Sequence, residues 1–130
     1  MIIKSDIATR RLYATDASVY EELPQSVAFP KNAEECVALV KAASKNKTPL
    51  IFRAAGTSIA GQCVGGGQVV DVSRFLTGIL GEPSGNQIRV QSGVIHSDLD
   101  CFLKPFGLKF APEISTSNRC MIGGMIGRSE

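Results

Sequence analysis

Tryptophan is absent and histidine occurs once. No uninterrupted apolar run approaches the roughly 18 residues that a membrane span requires. The apolar start Met1-Ile2-Ile3 is too short for a secretory signal, so the sequence reads as cytoplasmic, without membrane insertion. The four cysteines Cys36, Cys63, Cys101 and Cys120 form no C-x-x-C pair, which excludes a zinc ribbon and dithiol exchange; no disulfide is expected. Cys36 and Cys101 are placed on apolar helix faces as buried thiols, and Cys63 in a glycine-rich stretch as a loop-lining thiol. Charge of one sign is also lacking. The 14 basic and 12 acidic residues are interspersed, for a net +2, which leaves no footprint for nucleic acid or an anionic membrane. There is no internal repeat, low-complexity tract or linker.

What is present is an ordinary globular composition, 44% hydrophobic and 20% charged over 130 residues, enough for one modest core. Asn32-Ala33-Glu34-Glu35 carries a cap residue with a glutamate three positions on, and Cys36, Val37, Val40 and Ala43 follow at helical spacing. This predicts an amphipathic helix, with Lys41, Lys45 and Lys47 as solvated charges, as is Lys31 just ahead of it. Before it, Val27-Ala28-Phe29-Pro30 is a short run closed by proline; after it, Pro49-Leu50-Ile51-Phe52-Arg53 predicts a buried strand. Strand, helix and strand imply a parallel pair with a right-handed crossover. Gln68-Val69-Val70-Asp71-Val72 and Ile88-Arg89-Val90-Gln91 add strands, the second after the turn Pro83-Ser84-Gly85-Asn86. Ser97-Asp98-Leu99-Asp100 reads as a second cap, and Leu99, Phe102, Leu103 and Phe106 as a helix face that Pro105 and Gly107 end. The expected fold class is α+β, a small mixed and partly parallel sheet with flanking helices that pack on it.

The segment that carries chemistry is Arg53-Ala54-Ala55-Gly56-Thr57-Ser58-Ile59-Ala60-Gly61-Gln62. It leaves a strand with small residues and two hydroxyls. Glycine tolerates positive φ, successive N–H groups can then converge on an anion, and hydroxyls add donors suited to phosphate oxygens. It is neither a Walker loop, which ends Gly-Lys-Ser/Thr, nor a G-x-G-x-x-G fingerprint. By itself such a loop reads as a tight structural turn sooner than as a cofactor cradle. Arg53 suits either phosphate charge or a strand-end salt bridge with a nearby carboxylate.

Arg-x-x-Gly-Thr-Ser-x-Ala-Gly-Gln followed by Val70-Asp71-Val72-Ser73-Arg74 resembles the first pyrophosphate loop and next strand of the vanillyl-alcohol oxidase and p-cresol methylhydroxylase flavoproteins, in their glycolate oxidase and D-lactate dehydrogenase branch. Asp16-Ala17-Ser18-Val19-Tyr20 with Pro24 and Val27 is similar to the family's lead-in segment, Ser92-Gly93-Val94 to its strand-end turn, and the stretch from Pro112 to Met121-Ile122-Gly123-Gly124-Met125-Ile126 to its second cofactor-contacting segment. The chain departs from the family at Ala54-Ala55, where glycines are usual, and at Pro112-Glu113, where Pro-Asp is commoner. After Ile126 the family continues with an asparagine- and glycine-rich turn, whereas Gly127-Arg128-Ser129-Glu130 closes this chain as a native or an added tail.

The resemblance implies noncovalent FAD. No histidine stands in the loop to form a histidyl linkage, and Cys63 could at most be imagined as a flavin thioether. Backbone N–H groups from Ala55 through Ser58, with Arg53, Ala54, Gly56, Thr57, Ala60, Gly61 and Gln62, would hold the pyrophosphate. Pro112, Glu113, Ser115, Thr116, Ser117, Met121, Ile122, Gly123, Gly124 and Met125 would run beside the flavin ring and ribityl chain. Residues 1–130 are then expected to be the N-terminal part of one FAD-binding domain, lacking the rest of that domain and the substrate domain. The expected parent is an FAD-linked oxidoreductase acting on a small 2-hydroxy acid such as D-lactate or glycolate, with the isolated chain inactive. Partners are the missing C-terminal portion or a second copy. Two other readings stay open: a structural, self-associating module that binds no flavin alone, and a generic phosphate binder or the FAD lobe of a UDP-N-acetylenolpyruvoylglucosamine reductase-like enzyme. No catalytic residue or metal ligand is assigned. His96, beside the Ser97 cap, reads as a residue of the helix start rather than a base, and Asp71, Asp98 and Asp100 as strand-end and capping carboxylates.

Overall fold

A computed structural model describes residues 1–127; the tail Arg128-Ser129-Glu130 lies outside the described residues. The elements run β1 (Ile2–Lys4), α1 (Ile7–Leu12), β2 (Ser26–Phe29), α2 (Ala33–Asn46), β3 (Leu50–Arg53), β4 (Gln68–Asp71), β5 (Ile79–Ser84), β6 (Gln87–Val90), α3 (His96–Leu103) and α4 (Ile122–Gly127). A 3-10 turn, Lys104–Phe106, extends α3.

The α+β fold expected from the sequence is present, with differences of arrangement. The main sheet has the order β1-β2-β4-β3; β2 and β3 each run parallel to β4, and β1 is antiparallel to β2. β2 and β3 are therefore not the adjacent pair expected. β4 separates them because Val69 and Val70 are wholly buried and demand cover on both faces and both edges. That pushes β3 to the edge, where Phe52 is 49% exposed rather than buried. One face of the sheet packs Ala28, Val70 and Val72 against Leu39 of α2; the other packs Val27, Phe29 and Val69 against Tyr13 and Phe75.

The Asn32 side chain accepts from the Glu35 N–H at 2.9 Å and caps α2 as expected. The Glu35 carboxylate turns back to the Lys31 N–H at 2.8 Å and pairs with the Met1 ammonium, which draws its pKa down. The buried stripe of α2 is Cys36, Leu39 and Ala43. Val37, 52% exposed, and Val40 lie off it, contrary to the helical face read from the sequence.

β6 does not join the main sheet. It pairs antiparallel with β5, an unforeseen strand, in a separate ribbon. α3 packs on that ribbon and not on the sheet: Val94, Leu99, Leu103 and Ile122 form a second core with Ile79, Ile88 and Val90 around it. Ser97 does not cap α3, which begins at His96 after Ile95 with no side-chain cap. Cys101 is exposed rather than buried, and among the described residues all four cysteines are free. The two cores join through the turn ahead of Val94. The Gly93 N–H donates to Leu76 O at 2.7 Å, and a Cβ on Gly93 would lie 2.5 Å from Val72 O, so only glycine fits.

Candidate functional site

Parallel strands place the loops after their carboxyl ends on one side of the sheet, and there the 53–62 loop leaves β3. Gly56 and Gly61 take φ of +68° and +76°, the left-handed region in which glycine alone is unstrained. Among the described residues, no acceptor of the chain meets the N–H groups of Ala55, Gly56 or Thr57. Half-buried backbone donors without internal partners are what an anion-binding turn offers. The Ser58 hydroxyl instead folds inward, accepting from the N–H groups of Ala60 and Gln62 at 3.3 Å each. The methyl groups of Ala54 and Ala55 are accommodated without positive φ, so their departure from glycine leaves the turn intact.

A cleft of about 460 Å³ opens beside this loop, lined by Arg53, Ala54, Ala55, Asp71, Arg119 and Met121 together with Tyr13, Leu12, Ser73 and Ile95. It brings together the start of the loop and the second predicted segment. Gly124 also faces the loop, since a Cβ there would meet only the Ala54 methyl, at 3.9 Å. The rest of the second segment is disposed differently. Ile122 is buried in the second core with Met125 against it, and Gly123 is pressed on Ser92, 2.7 Å from where its Cβ would be. Ser115, Thr116 and Ser117 form a turn closed by Arg119 and Cys120 N–H groups on Thr116 O, both at 2.8 Å. Pro112 is exposed, and Glu113 pairs with Lys109 at 2.6 Å, which lowers the Glu113 pKa. Gly61 and Gln62 stand further along the loop, away from the cleft lining.

Arg53 does not form the strand-end salt bridge with a carboxylate that was one of its two expected roles. Its Nη1 donates to Thr15 O at 2.6 Å, and its guanidinium lies 5.4 Å over the Tyr13 ring. Asp71 is 5% exposed; its Oδ1 accepts from the Ser73 N–H at 2.7 Å and hydroxyl at 2.6 Å, and its Oδ2 from the Tyr13 hydroxyl at 2.5 Å. Burial first, and then this hydrogen bond, push the Tyr13 phenol above the usual tyrosine range. Burial likewise raises the Cys63 thiol, which suits an inert loop thiol rather than a nucleophile. His96 is buried in the first turn of α3, with Nε2 2.7 Å from Pro112 O and its ring edge-on to Phe110. Asp100 receives the Phe110 N–H at 2.9 Å. Both side chains pin the chain where the second segment begins, His96 at Pro112 and Asp100 at Phe110, and neither lines the cleft. Two cleft residues were not singled out in the sequence: Tyr13, which stands in an unpatterned stretch, and Arg119, which lies inside the second predicted segment.

Free backbone donors after a parallel strand, beside a cleft with two arginines, suit an anionic group. The sequence pattern of the FAD binding domain family matches residues 24–129, and the chain belongs to that family, with FAD as its cofactor. The chain is 44% identical over 128 residues to the D-2-hydroxyglutarate dehydrogenase of Haemophilus influenzae, covering 95% of this chain and 12% of that protein. It is 29% identical to the glycolate oxidase subunit GlcD of Escherichia coli, covering 86% of this chain and 23% of that one. Among solved structures, an alkyldihydroxyacetonephosphate synthase superposes with a TM-score of 0.80 at 20% identity, over 94% of this chain and 25% of that one. A cholesterol oxidase from Brevibacterium sterolicum superposes at 0.70 and 20%, over 85% and 22%. These two share the fold. The resemblance to the vanillyl-alcohol oxidase and p-cresol methylhydroxylase flavoproteins, in the glycolate oxidase branch, is thereby borne out. The chain spans 12 to 13% of the length of the dehydrogenases it matches. Among the described residues no helix is long and apolar enough to cross a membrane.

Proposed function

We propose that this chain supplies the pyrophosphate-binding wall of a flavin-dependent dehydrogenase that oxidises a small 2-hydroxy acid. The observation that carries the reading is the set of unpartnered N–H groups of Ala55, Gly56 and Thr57 in the loop that leaves β3, where Ala54 and Ala55 line a cleft together with Arg53 and Arg119. These groups offer fixed dipoles and positive charge where a diphosphate needs them, with Met121 and Gly124 forming the far side. When bound, FAD supplies the hydride-accepting chemistry. Residues of this chain bind and orient it, noncovalently, and take no proton from substrate. The 2-hydroxy acid assignment is supported by the dehydrogenase and glycolate oxidase relatives. Exposed Leu12 beside the cleft, Tyr20 against Gly61 and Ile59 on the loop itself support the loop's being covered by the remainder of the flavin domain, with a second copy as the other occupant. Free cysteines support a reducing, cytoplasmic setting.

Titrating the purified chain with FAD and following flavin fluorescence tests the reading. Weak uptake that ADP displaces is expected, because only part of the cofactor's surroundings is present; failure of either nucleotide to bind at millimolar concentration counts against it. Anaerobic D-2-hydroxyglutarate or glycolate should bleach the flavin of the full-length enzyme, while the chain alone should reduce no dye.

A further inference from the structure

Residues 1–23 precede the stretch matched by the family pattern, yet part of them encloses the loop. Thr15 forms a bridge with Glu21, and the Glu22 N–H donates to Ala14 O at 2.9 Å, so the chain between them doubles back as a compact strap. The strap meets the loop at two points and the stretch just after the loop at a third. Thr15 O accepts from Arg53, the Tyr20 ring occupies the space where a Gly61 Cβ would lie 2.7 Å from Cδ2, and the Glu22 carboxylate closes on Gly66, 2.5 Å from its Cβ position. At the root of the strap, Tyr13 is tied to buried Asp71. Its ring carries the Arg53 guanidinium, whose Nη2 lies 2.5 Å from where a Gly56 Cβ would stand. A continuous line of contacts thus runs from the β4 end through Tyr13 and Arg53 to the glycine at the turn of the loop.

We propose that the segment 13–22 is a strap that presets the dinucleotide loop, with Tyr13 and Arg53 as positioning residues acting on the loop's shape. The proposal rests on the reading that this loop receives a pyrophosphate. A loop of small residues left to itself would have to be ordered when its ligand arrives, and that ordering weakens binding. Held from behind by a planar guanidinium and from outside by the strap, the loop has less ordering left to undergo when its ligand arrives.

The test uses the full 130-residue chain and its Tyr13→Phe and Arg53→Lys variants. Phenylalanine keeps the ring and removes the Asp71 bond; lysine keeps the charge and removes the planar stack. Backbone order parameters are read by NMR at Gly56 and Thr57 and across β2 and β4, and the Kd for ADP is measured as a pyrophosphate probe. In the wild type the two loop residues should be rigid, with values of about 0.85, and both variants should fall toward about 0.6 while the strands are unchanged. The Kd for ADP should weaken about tenfold, because the loop must then be ordered as the ligand binds. Loop order that is unchanged in both variants overturns the proposal, whether or not ADP binds. Loss of order in loop and strands together, in both variants, also overturns it, since the residues would then serve general stability; if only Tyr13→Phe disrupts the strands, Arg53→Lys decides. A wild type that ignores ADP while its loop responds as described speaks against the nucleotide reading alone and upholds the strap.

Discussion

Single residues around the loop carry the sharpest consequences. The Tyr13 phenol is held neutral, with its pKa raised above the ordinary value of about 10 by burial and by the Asp71 carboxylate. A group whose folded pKa is raised contributes stability in full below its unfolded pKa and loses it as pH rises through the folded value. The chain should therefore weaken above about pH 10, and Tyr13→Phe should flatten that loss, as followed by alkaline denaturation together with tyrosinate absorbance. Gly61→Ala places a methyl against the Tyr20 ring on backbone at φ +76°, and should destabilise by about 1–3 kcal/mol in urea unfolding. Both effects depend on contacts with residues about forty or more positions away in sequence, which no local motif records.

At the scale of the element, α2 separates what pattern reveals from what packing decides. Its start was legible because Asn32 and Glu35 are a local capping signal. Its buried stripe was not, because Val37 and Leu39 are both apolar and only the position of the sheet selects between them. Leu39→Ala should lower stability by about 2–5 kcal/mol, whereas Val37→Ala should stay within about 0.5 kcal/mol, a contrast that denaturant midpoints will show. β3 and β4 tell the same story: both were recognisable as strands, but their order followed from the complete burial of Val69 and Val70. α3 was read from Leu99, Phe102 and Leu103, with His96 at its start as expected, while the His96 ring also ties to Pro112 and Asp100 ties to Phe110 rather than capping the helix.

Across the whole molecule, two cores meet at one turn: the sheet with α2 and Tyr13, and the ribbon with α3 and α4. Leu99→Ala should accelerate amide exchange through residues 79–125 more than in β2 and β4, and equal acceleration everywhere would indicate a single cooperative unit. The loop belongs to the first core and Ile122 to the second, so the cleft between Ala54 and Met121 depends on how the two are joined. Sequence alone determined the family, through the resemblance of motifs that occur together and in order, and most of the elements, because caps and hydrophobic periods are written within a few neighbouring positions. Tertiary structure alone decided that β4 lies between β2 and β3, that the ribbon stands apart, and that Tyr13 and Arg53 brace Gly56. Those outcomes follow from burial and hydrogen bonding between distant segments, whose energies exist only once the chain has closed on itself.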